Sequence, residues 1–355
     1  MNKTRILSID GGGIRGIIPG QVLVKLEQKL QQRAGDDSVR IADCFDLVAG
    51  TSTGGILACI LLCPGKDGRP RFTAKQAVAL YTSYGANIFD ADWKWKARTA
   101  NGVLGAKYPE AALETYLKQY LGDLELKDML KPCLIPAYNT EQRNVHFFRS
   151  YRAAKTPSYN FPMWQVARST SAAPTYFRPH KAVAMDGKAY SLIDGGIVAN
   201  NPSMCAFTEG HTHFQATATD MVILSLGTGT ALKSYPYTKI KNWGMLHWAV
   251  PTIDILMSGG PDVDEFQLDQ IFKASKVPHQ YLRINVDLNS IAQNNQIEVS
   301  PDMDNADISN LEELSQAGRW LADSYSDQLD AIVDQLLDLE LPEVKRIKLD
   351  PGAAL

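Results

Sequence analysis

The chain has 355 residues, 45% hydrophobic and 21% charged, which is the composition of a globular protein with a sizeable core. Its net charge of −3 argues against a nucleic-acid-binding protein and against simple electrostatic attachment to anionic lipid. We expect no secretion signal, and the longest apolar run, residues 56–63, is too short to span a bilayer. We therefore expect a cytoplasmic protein whose contact with a membrane is peripheral.

The first predicted unit is a strand at residues 5–10, followed at once by a glycine-rich loop and a helix. Apolar residues recur at helical spacing over residues 17–30. Consecutive glycines let backbone N–H groups point into one space, and the following helix adds its positive N-terminal end. We predict an oxyanion-binding loop with a fixed positive charge beside it, formed by Gly11, Gly12, Gly13 and Arg15.

The same loop fits a second interpretation. Gly11, Gly13 and Gly16 match the dinucleotide fingerprint G-x-G-x-x-G that follows a strand. The fingerprint expects a second strand ending in an acidic residue about twenty positions later. Asp36 and Asp37 fall near that place, but they lie in a polar turn with no predicted strand before them.

The second predicted unit repeats the order of strand, turn and helix. Residues 45–49 form a short apolar strand, and residues 55–63 form an apolar helix. The G-x-S-x-G pattern between them is typical of a sharp turn that exposes the serine hydroxyl to a carbonyl carbon. Gly50 and Gly54 permit the unusual backbone angles and the close approach of the helix. Ser52 is therefore the candidate nucleophile.

Residues 90–108 are predicted to be irregular. Trp93 and Trp95 alternate with basic residues, a combination that suits the headgroup zone of a membrane. We therefore predict a membrane contact here. The alternative, a surface loop with both tryptophans folded inward, stays open.

A third glycine-rich element follows the predicted strand at residues 189–193 and begins with Asp194, Gly195 and Gly196. A nucleophilic serine needs a base, and none of the six histidines lies in a loop that belongs with Ser52. An aspartate can serve if it is partly desolvated and held against the serine. Asp194 is the candidate base, and the alternative is that it caps a turn. No metal site is expected, because the pair His211-x-His213 lacks a third ligand.

The repeated order of strand, loop and helix predicts a three-layer α/β fold, in which a mostly parallel sheet has helices on both faces. In a doubly wound sheet the strand ends converge on one crevice, so we expect the three glycine-rich elements to meet there. Beyond residue 230 we predict helices at 253–257 and 266–272, a strand at 281–286, and one or two helices over 311–337. We expect a single domain over residues 1–355, with a catalytic core at about 5–230 and a helical C-terminal elaboration at about 231–355.

The three motifs, in this order and spacing, resemble those of the patatin-like phospholipases. Residues 167–174, 199–202 and 225–229 are also similar to segments of the bacterial members. The resemblance implies a Ser–Asp dyad that needs no cofactor, with Ser52 as nucleophile and Asp194 as base. It places Gly11, Gly12, Gly13 and Arg15 in the oxyanion loop, and Gly195 and Gly196 in the proton-acceptor motif. It implies attack on a glycerophospholipid acyl ester, an acyl-Ser52 intermediate, and hydrolysis by water that Asp194 activates.

The organisation also resembles bacterial patatin-like effectors that cyclic oligonucleotides switch on in antiphage signalling. The resemblance implies a regulated phospholipase A that degrades phospholipid at the inner membrane surface, with a cyclic dinucleotide as activator and a homo-oligomer as a further expectation. Two alternatives stay open. One is an unregulated housekeeping lipid acyl hydrolase, and the other is a non-enzymatic module that binds a phosphorylated ligand and leaves Ser52 unreactive.

Overall fold

The computed structural model describes residues 3–100, 102–230, 234–295 and 297–337. Its strands in these residues are β1 (Thr4–Ile9), β2 (Leu47–Gly50), β3 (Cys133–Asn139), β4 (Asn144–Phe148), β5 (His180–Val183), β6 (Ala189–Asp194), β7 (Met221–Leu226) and β8 (Tyr281–Ile284). The α-helices are α1 (Ile17–Ala34), α2 (Ile41–Cys44), α3 (Thr53–Leu61), α4 (Ala74–Ile88), α5 (Trp93–Thr99), α6 (Ala111–Leu121), α7 (Ser150–Ala153), α8 (Met163–Thr170), α9 (Gly196–Ala199), α10 (Ser203–His213), α11 (Tyr237–Ile240), α12 (Met245–Ala274), α13 (Leu288–Asn295), α14 (Ile308–Ser324) and α15 (Ser326–Leu336). Short 3₁₀ helices lie at Gly13–Gly16, Leu126–Asp128, Pro157–Tyr159, Ala218–Asp220 and Pro278–Gln280.

The strands form one mixed sheet in the order β5-β6-β3-β2-β1-β7-β8, with β4 also paired to β3. The five neighbouring strands β3, β2, β1, β7 and β8 are parallel to one another. Strands β4 and β6 run antiparallel to β3, and β5 runs antiparallel to β6. The parallel strands are apolar almost throughout, as expected where both faces of a sheet are covered.

Helices cover both faces of this sheet, as the sequence predicts. Neighbouring residues of a strand point to opposite faces, and they enter two separate apolar clusters. The larger cluster receives Leu7, Val48 and Leu224 of the central strands, together with side chains from α1, α3, α4 and α14. The smaller cluster receives Ile6, Leu47 and Ile223, together with side chains from α10 and α12.

The strand that carries Asp194 reaches the site by a route that the sequence analysis missed. Strand β3 pairs with β2 only through Cys133 and Leu134, and it then continues to Asn139. Strand β6 pairs antiparallel with this extension, so it runs back towards β2 and ends at Asp194. Asp194 therefore arrives beside Ser52, as the sequence predicts, but on a strand that is antiparallel to those leading to the glycine-rich loop and to Ser52.

Residues beyond 230 contribute to the same sheet. Strand β8 pairs in parallel with β7, and α14 packs along α1. The predicted helices at 253–257 and 266–272 are one helix, α12, and the predicted helices over 311–337 are α14 and α15. The strand predicted at residues 281–286 is confirmed as β8, so this mainly helical segment also extends the central sheet.

Candidate active site

Ser52 lies at a strained turn between β2 and α3. Its φ of 53° and ψ of −119° are angles that a residue with a side chain adopts at a cost, and such strain is frequent at active sites. The turn forces the backbone close to its neighbours, because a Cβ on Gly54 would collide with the carbonyl oxygen of Ile9. A Cβ on Gly50 would collide with the carbonyl oxygen of Gly54. The local geometry is that of a nucleophile elbow.

Ser52 and Asp194 are in direct contact. The Ser52 hydroxyl donates a hydrogen bond of 2.6 Å to Oδ2 of Asp194. The other oxygen of this carboxylate, Oδ1, accepts the backbone N–H of Gly196 at 2.7 Å, at the beginning of α9. Asp194 has no exposed surface and Ser52 is 6% exposed, so the pair meets in a place from which bulk water is largely removed.

Burial raises the pKa of Asp194 from its usual value of 3.8 to about 7. The hydrogen bonds from Ser52 and Gly196, and the positive charge of Arg168, act in the opposite direction. A carboxylate with a pKa near neutrality is a far better proton acceptor than an ordinary aspartate. The environment therefore removes the main chemical objection to aspartate as a base for serine.

The glycine-rich loop is only partly available as an oxyanion hole. The Gly11 N–H donates to the carbonyl of Asn200 at 3.0 Å, so the prediction that Gly11 is an oxyanion donor is wrong. Among the described residues, the amides of Gly12 and Gly13 have no intramolecular acceptor. The φ of +59° at Gly13 is in the left-handed region that favours glycine. The free amides are thus the second and third of the three that the sequence predicts.

Of the two backbone amides at the elbow, those of Ser52 and Thr53, only that of Thr53 is free among the described residues. The Ser52 N–H donates to the Thr170 hydroxyl at 3.0 Å, which removes it from the list of candidate donors. The amide of Thr53, the residue after the serine, has no acceptor among the described residues. In hydrolases with this type of elbow, the residue after the nucleophile supplies an oxyanion donor.

The glycine-rich loop is attached to parts of the chain that come much later. Asp10, immediately before the loop, forms a bidentate ion pair with Arg283 of β8, at 2.9 and 2.5 Å. Both side chains are at most 6% exposed. The carbonyl of Met303 accepts the Ile14 N–H at 2.8 Å, and Thr228 donates its hydroxyl to the carbonyl of Gly11 at 2.7 Å. The sequence analysis missed Arg283, Met303 and Thr170, because no local pattern marks contacts between residues so far apart.

Arg15 lies in the 3₁₀ turn that follows the glycines. Burial lowers its pKa, while the carboxylates of Asp254 and Asp302 and the phenol of Tyr176 act in the opposite direction. An arginine remains protonated in spite of such a shift. Its Nε atom is buried and has no hydrogen-bond partner among the described residues. Arg15 thus carries a positive charge on the turn that follows the glycines, but it is not among the described residues that line the cleft.

Ser52 and Asp194 open into an apolar cleft of about 600 Å³, which includes its open mouth. The walls are formed by Gly13, Thr53, Ile56, Leu80, Tyr81, Ile88, Phe89, Leu113, Ser171, Ala173, Tyr176, Phe177, Met257 and Met303. No histidine is among them, and the chemistry of the lining suits a hydrocarbon chain.

The two tryptophans of residues 90–108 have different environments. Trp93 is 74% exposed. The Trp95 indole N–H donates to the Ala106 carbonyl at 3.0 Å, and the guanidinium groups of Arg98 and Arg178 cover its ring. The prediction of an irregular segment is wrong for α5, because the Asp92 carboxylate accepts the Trp95 N–H and caps this short helix.

Other ligand sites considered for the sequence find no support in the described residues. Asp36 and Asp37 follow α1 directly, so no strand presents them to a dinucleotide. His213 stacks on Tyr151, and the described part of the chain has no cluster of three His, Cys, Asp or Glu residues that could hold a metal ion. None of the described helices is both long and apolar enough to cross a bilayer.

Comparison with known proteins identifies related chains. The family model described as patatin-like phospholipase matches residues 7–206, which is more than half of the chain. Patatin-like protein 4 of Arabidopsis thaliana is 33% identical over 91% of this chain and 84% of its own length. Patatin-like protein 2 of the same plant is 35% identical over 81% of this chain and 76% of its own. The protein described as probable inactive patatin-like protein 9, also from this plant, is 36% identical over 79% of this chain and 74% of its own.

Proposed function

This chain belongs to the patatin-like phospholipase family, whose activity is lipid acyl hydrolysis, and on that premise we propose that it cleaves acyl esters of glycerophospholipids with a Ser52–Asp194 dyad. The observation that carries the proposal is the buried 2.6 Å hydrogen bond from the Ser52 hydroxyl to Asp194. Identity alone would not support activity, because one relative of similar identity is described as probably inactive. The contact between Ser52 and a base of suitable pKa is what supports activity in this chain.

The first half of the reaction forms an acyl-enzyme. Ser52 Oγ attacks the ester carbonyl carbon while Asp194 accepts the hydroxyl proton, and a tetrahedral oxyanion forms. The amides of Gly12, Gly13 and Thr53 are the free donors for that oxyanion. The intermediate then collapses, the ester bond to the glycerol oxygen breaks, and Asp194 returns the proton to the departing lysophospholipid alkoxide.

The second half regenerates the enzyme. A water molecule enters beside Asp194, which accepts its proton while the hydroxide attacks the acyl carbonyl carbon. The same amides stabilise the second oxyanion, and Ser52 Oγ leaves with the proton that Asp194 has received. The apolar walls of the cleft hold the acyl chain throughout. Because water is the acyl acceptor, the product is a free fatty acid.

The test is hydrolysis of phospholipid vesicles by the wild-type protein, Ser52→Ala and Asp194→Asn. We expect each substitution to lower kcat by at least about 10³-fold, because the two groups act as a unit. Ser324→Ala is the control, since this exposed serine donates only within its own helix. Retention of wild-type turnover by Ser52→Ala would refute the proposal.

We also propose that the protein meets the bilayer through an apolar surface formed by Trp93, Val103 and Leu104. These side chains are 74%, 81% and 80% exposed. Phe89 and Tyr108 flank this part of the chain, and their ring centroids are 5.5 Å from each other. Each ring is 6.0 Å from that of Phe177, which lines the cleft. Basic residues on α5 provide attraction to anionic headgroups. A lipid bound here would lie beside the entrance to the cleft.

Regulation remains a prediction that rests on the sequence resemblance. Addition of a panel of cyclic dinucleotides to the vesicle assay distinguishes the two enzymatic alternatives. Stimulation by one of them supports a regulated effector at the inner membrane surface. Full activity without any nucleotide supports an unregulated lipid acyl hydrolase. Sedimentation with and without the nucleotide tests the predicted homo-oligomer.

A further inference from the structure

Thr170 lies between the two halves of the dyad. It is the last residue of α8, in the segment 167–174 that the resemblance singles out without giving it a role. Its side chain has no exposed surface. Its methyl group faces Gly55 on α3 so closely that a Cβ on Gly55 would collide with it. Thr170 is therefore packed directly against the element that carries Ser52.

The Thr170 hydroxyl holds the backbone of the nucleophile. It accepts the Ser52 N–H at 3.0 Å and donates its own hydrogen to the Pro136 carbonyl at 2.6 Å. Because the single hydroxyl hydrogen is used on Pro136, a lone pair remains directed at Ser52. A buried N–H without an acceptor is destabilising, so this bond stabilises the strained turn at φ 53°.

The backbone of the same segment holds the base. The Thr170 carbonyl accepts the Gly195 N–H at 3.3 Å, and the Ala172 carbonyl accepts the Asp194 N–H at 3.1 Å. The end of α8 thus contacts the residue that carries the carboxylate, as well as the residue after it. Within the described residues, Thr170 is the residue that hydrogen-bonds to both the Ser52 turn and the Asp194 turn.

We propose that Thr170 is a positioning residue that sets the separation of Ser52 and Asp194. The inference rests on the proposed function, because it assigns Thr170 a role only through these two groups. Proton transfer requires the 2.6 Å contact, and the two residues come from strands that approach from opposite directions. The Thr170 hydroxyl bonds to the Ser52 turn and the Thr170 carbonyl bonds to the Asp194 turn. Together these two bonds fix the contact between Ser52 and Asp194.

The test compares Thr170→Val, which has nearly the same shape but no hydroxyl, with Thr170→Ser, which keeps the hydroxyl. With a water-soluble aryl ester, we expect Thr170→Val to lower kcat by about 10²-fold, the effect of about 1 Å of misplacement. KM should change little, because Thr170 is absent from the residues that line the cleft. Thr170→Ser should stay close to wild type. Ser315→Ala, which removes a buried helical hydroxyl far from the site, is the control.

A pH profile separates positioning from general destabilisation. The hydrogen bond from Ser52 lowers the pKa of Asp194, so weakening it should move the acidic limb of kcat/KM to higher pH in Thr170→Val. Thermal unfolding checks that each variant is folded. If Thr170→Val does not fold, Thr170→Ala replaces it under the same criteria, since alanine removes the hydroxyl without adding bulk.

Two results would overturn the inference. One is wild-type kcat and an unshifted acidic limb in a folded variant without the hydroxyl. The other is a loss in Thr170→Ser as large as in Thr170→Val, which would assign the effect to packing. Either result, in a wild-type protein that depends on Ser52, leaves the proposed function intact. Equal inactivity of the wild-type protein and Ser52→Ala would refute both.

Discussion

The Ser52 turn and the glycine-rich loop both place backbone amides at the same cleft, but different parts of the chain hold them. The Ser52 turn is fixed by its own glycines and by one uncharged hydrogen bond, which the Ser52 N–H donates to the Thr170 hydroxyl. The glycine-rich loop is fixed by a buried ion pair to Arg283 and by the carbonyl of Met303. The Ser52 turn therefore depends on its own glycines and on Thr170, which lies within the matched family region, whereas the glycine-rich loop depends on residues near the other end of the chain.

This difference shows why the matched family region is not the whole catalytic unit. The family match ends at residue 206, whereas Arg283 and Met303 lie beyond it. A protein reduced to the matched region would keep Ser52 and Asp194 but lose the groups that hold the Gly12 and Gly13 amides. We expect such a protein to lack an organised oxyanion loop.

Among the substitutions that test the contrast between the two regions, loss of Arg283 should have the largest effect on stability and turnover. Arg283→Met leaves the Asp10 carboxylate buried without its partner, which should lower the free energy of unfolding by about 3–5 kcal/mol. Displacement of the loop should also lower kcat by about 10²-fold, the effect of losing an oxyanion donor. Urea unfolding and ester turnover, measured on the same preparation, check both results.

Arg69→Met is the matched control for this prediction. Arg69 also forms a bidentate pair, with Asp43, but its side chain is 49% exposed. Its loss should cost about 0–1 kcal/mol and leave turnover unchanged. If Arg283→Met behaved like Arg69→Met, the glycine-rich loop would not depend on the ion pair, and the contrast between the two regions would disappear.

The pH dependence of kcat/KM should follow the ionisation of Asp194, the hydrogen-bond partner of Ser52. Since Asp194 must be deprotonated to accept the serine proton, kcat/KM should fall about tenfold per pH unit below its pKa. The pKa of about 7 places the midpoint near neutrality and not near pH 4. A profile that stays flat down to pH 5 would contradict Asp194 as the base.

The same shift predicts a stability effect of opposite sign to the activity effect. Because burial raises the pKa of Asp194 in the folded state, the carboxylate destabilises the fold. This cost is fully present above about pH 7 and is lost progressively as the pH falls from there towards 3.8. Asp194→Asn should therefore raise the melting temperature more at pH 8 than at pH 5. An equal change at both pH values would show that the carboxylate is not strained by burial.

A substitution in the apolar surface formed by Trp93, Val103 and Leu104 should have the smallest effect. Trp93→Ala should weaken binding to anionic phospholipid vesicles about fivefold, since partial burial of an aromatic side chain is worth about 1 kcal/mol. Turnover of a water-soluble ester should not change. Phe266→Ala, on the exposed face of α12, is the control because its ring is 65% exposed and outside this surface. Equal weakening in both variants would exclude a specific contact at Trp93.

The sequence could predict the features that local stereochemistry determines. The Ser52 turn depends on Gly50 and Gly54, and the sheet with helices on both faces follows from repeated strand, loop and helix. The failures involve contacts between distant segments. Gly11 is wrong as a donor because its amide binds the carbonyl of Asn200, and the direction of β6 depends on its pairing with β3.

The most direct test of the dyad is the rate of labelling by a fluorophosphonate probe at pH 8. We predict that the wild-type protein is labelled at Ser52, that Ser52→Ala is not labelled, and that Asp194→Asn reacts at least about 10²-fold more slowly. Peptide mass analysis identifies the labelled residue. Labelling of Asp194→Asn at the wild-type rate, or labelling at a residue other than Ser52, would contradict the account.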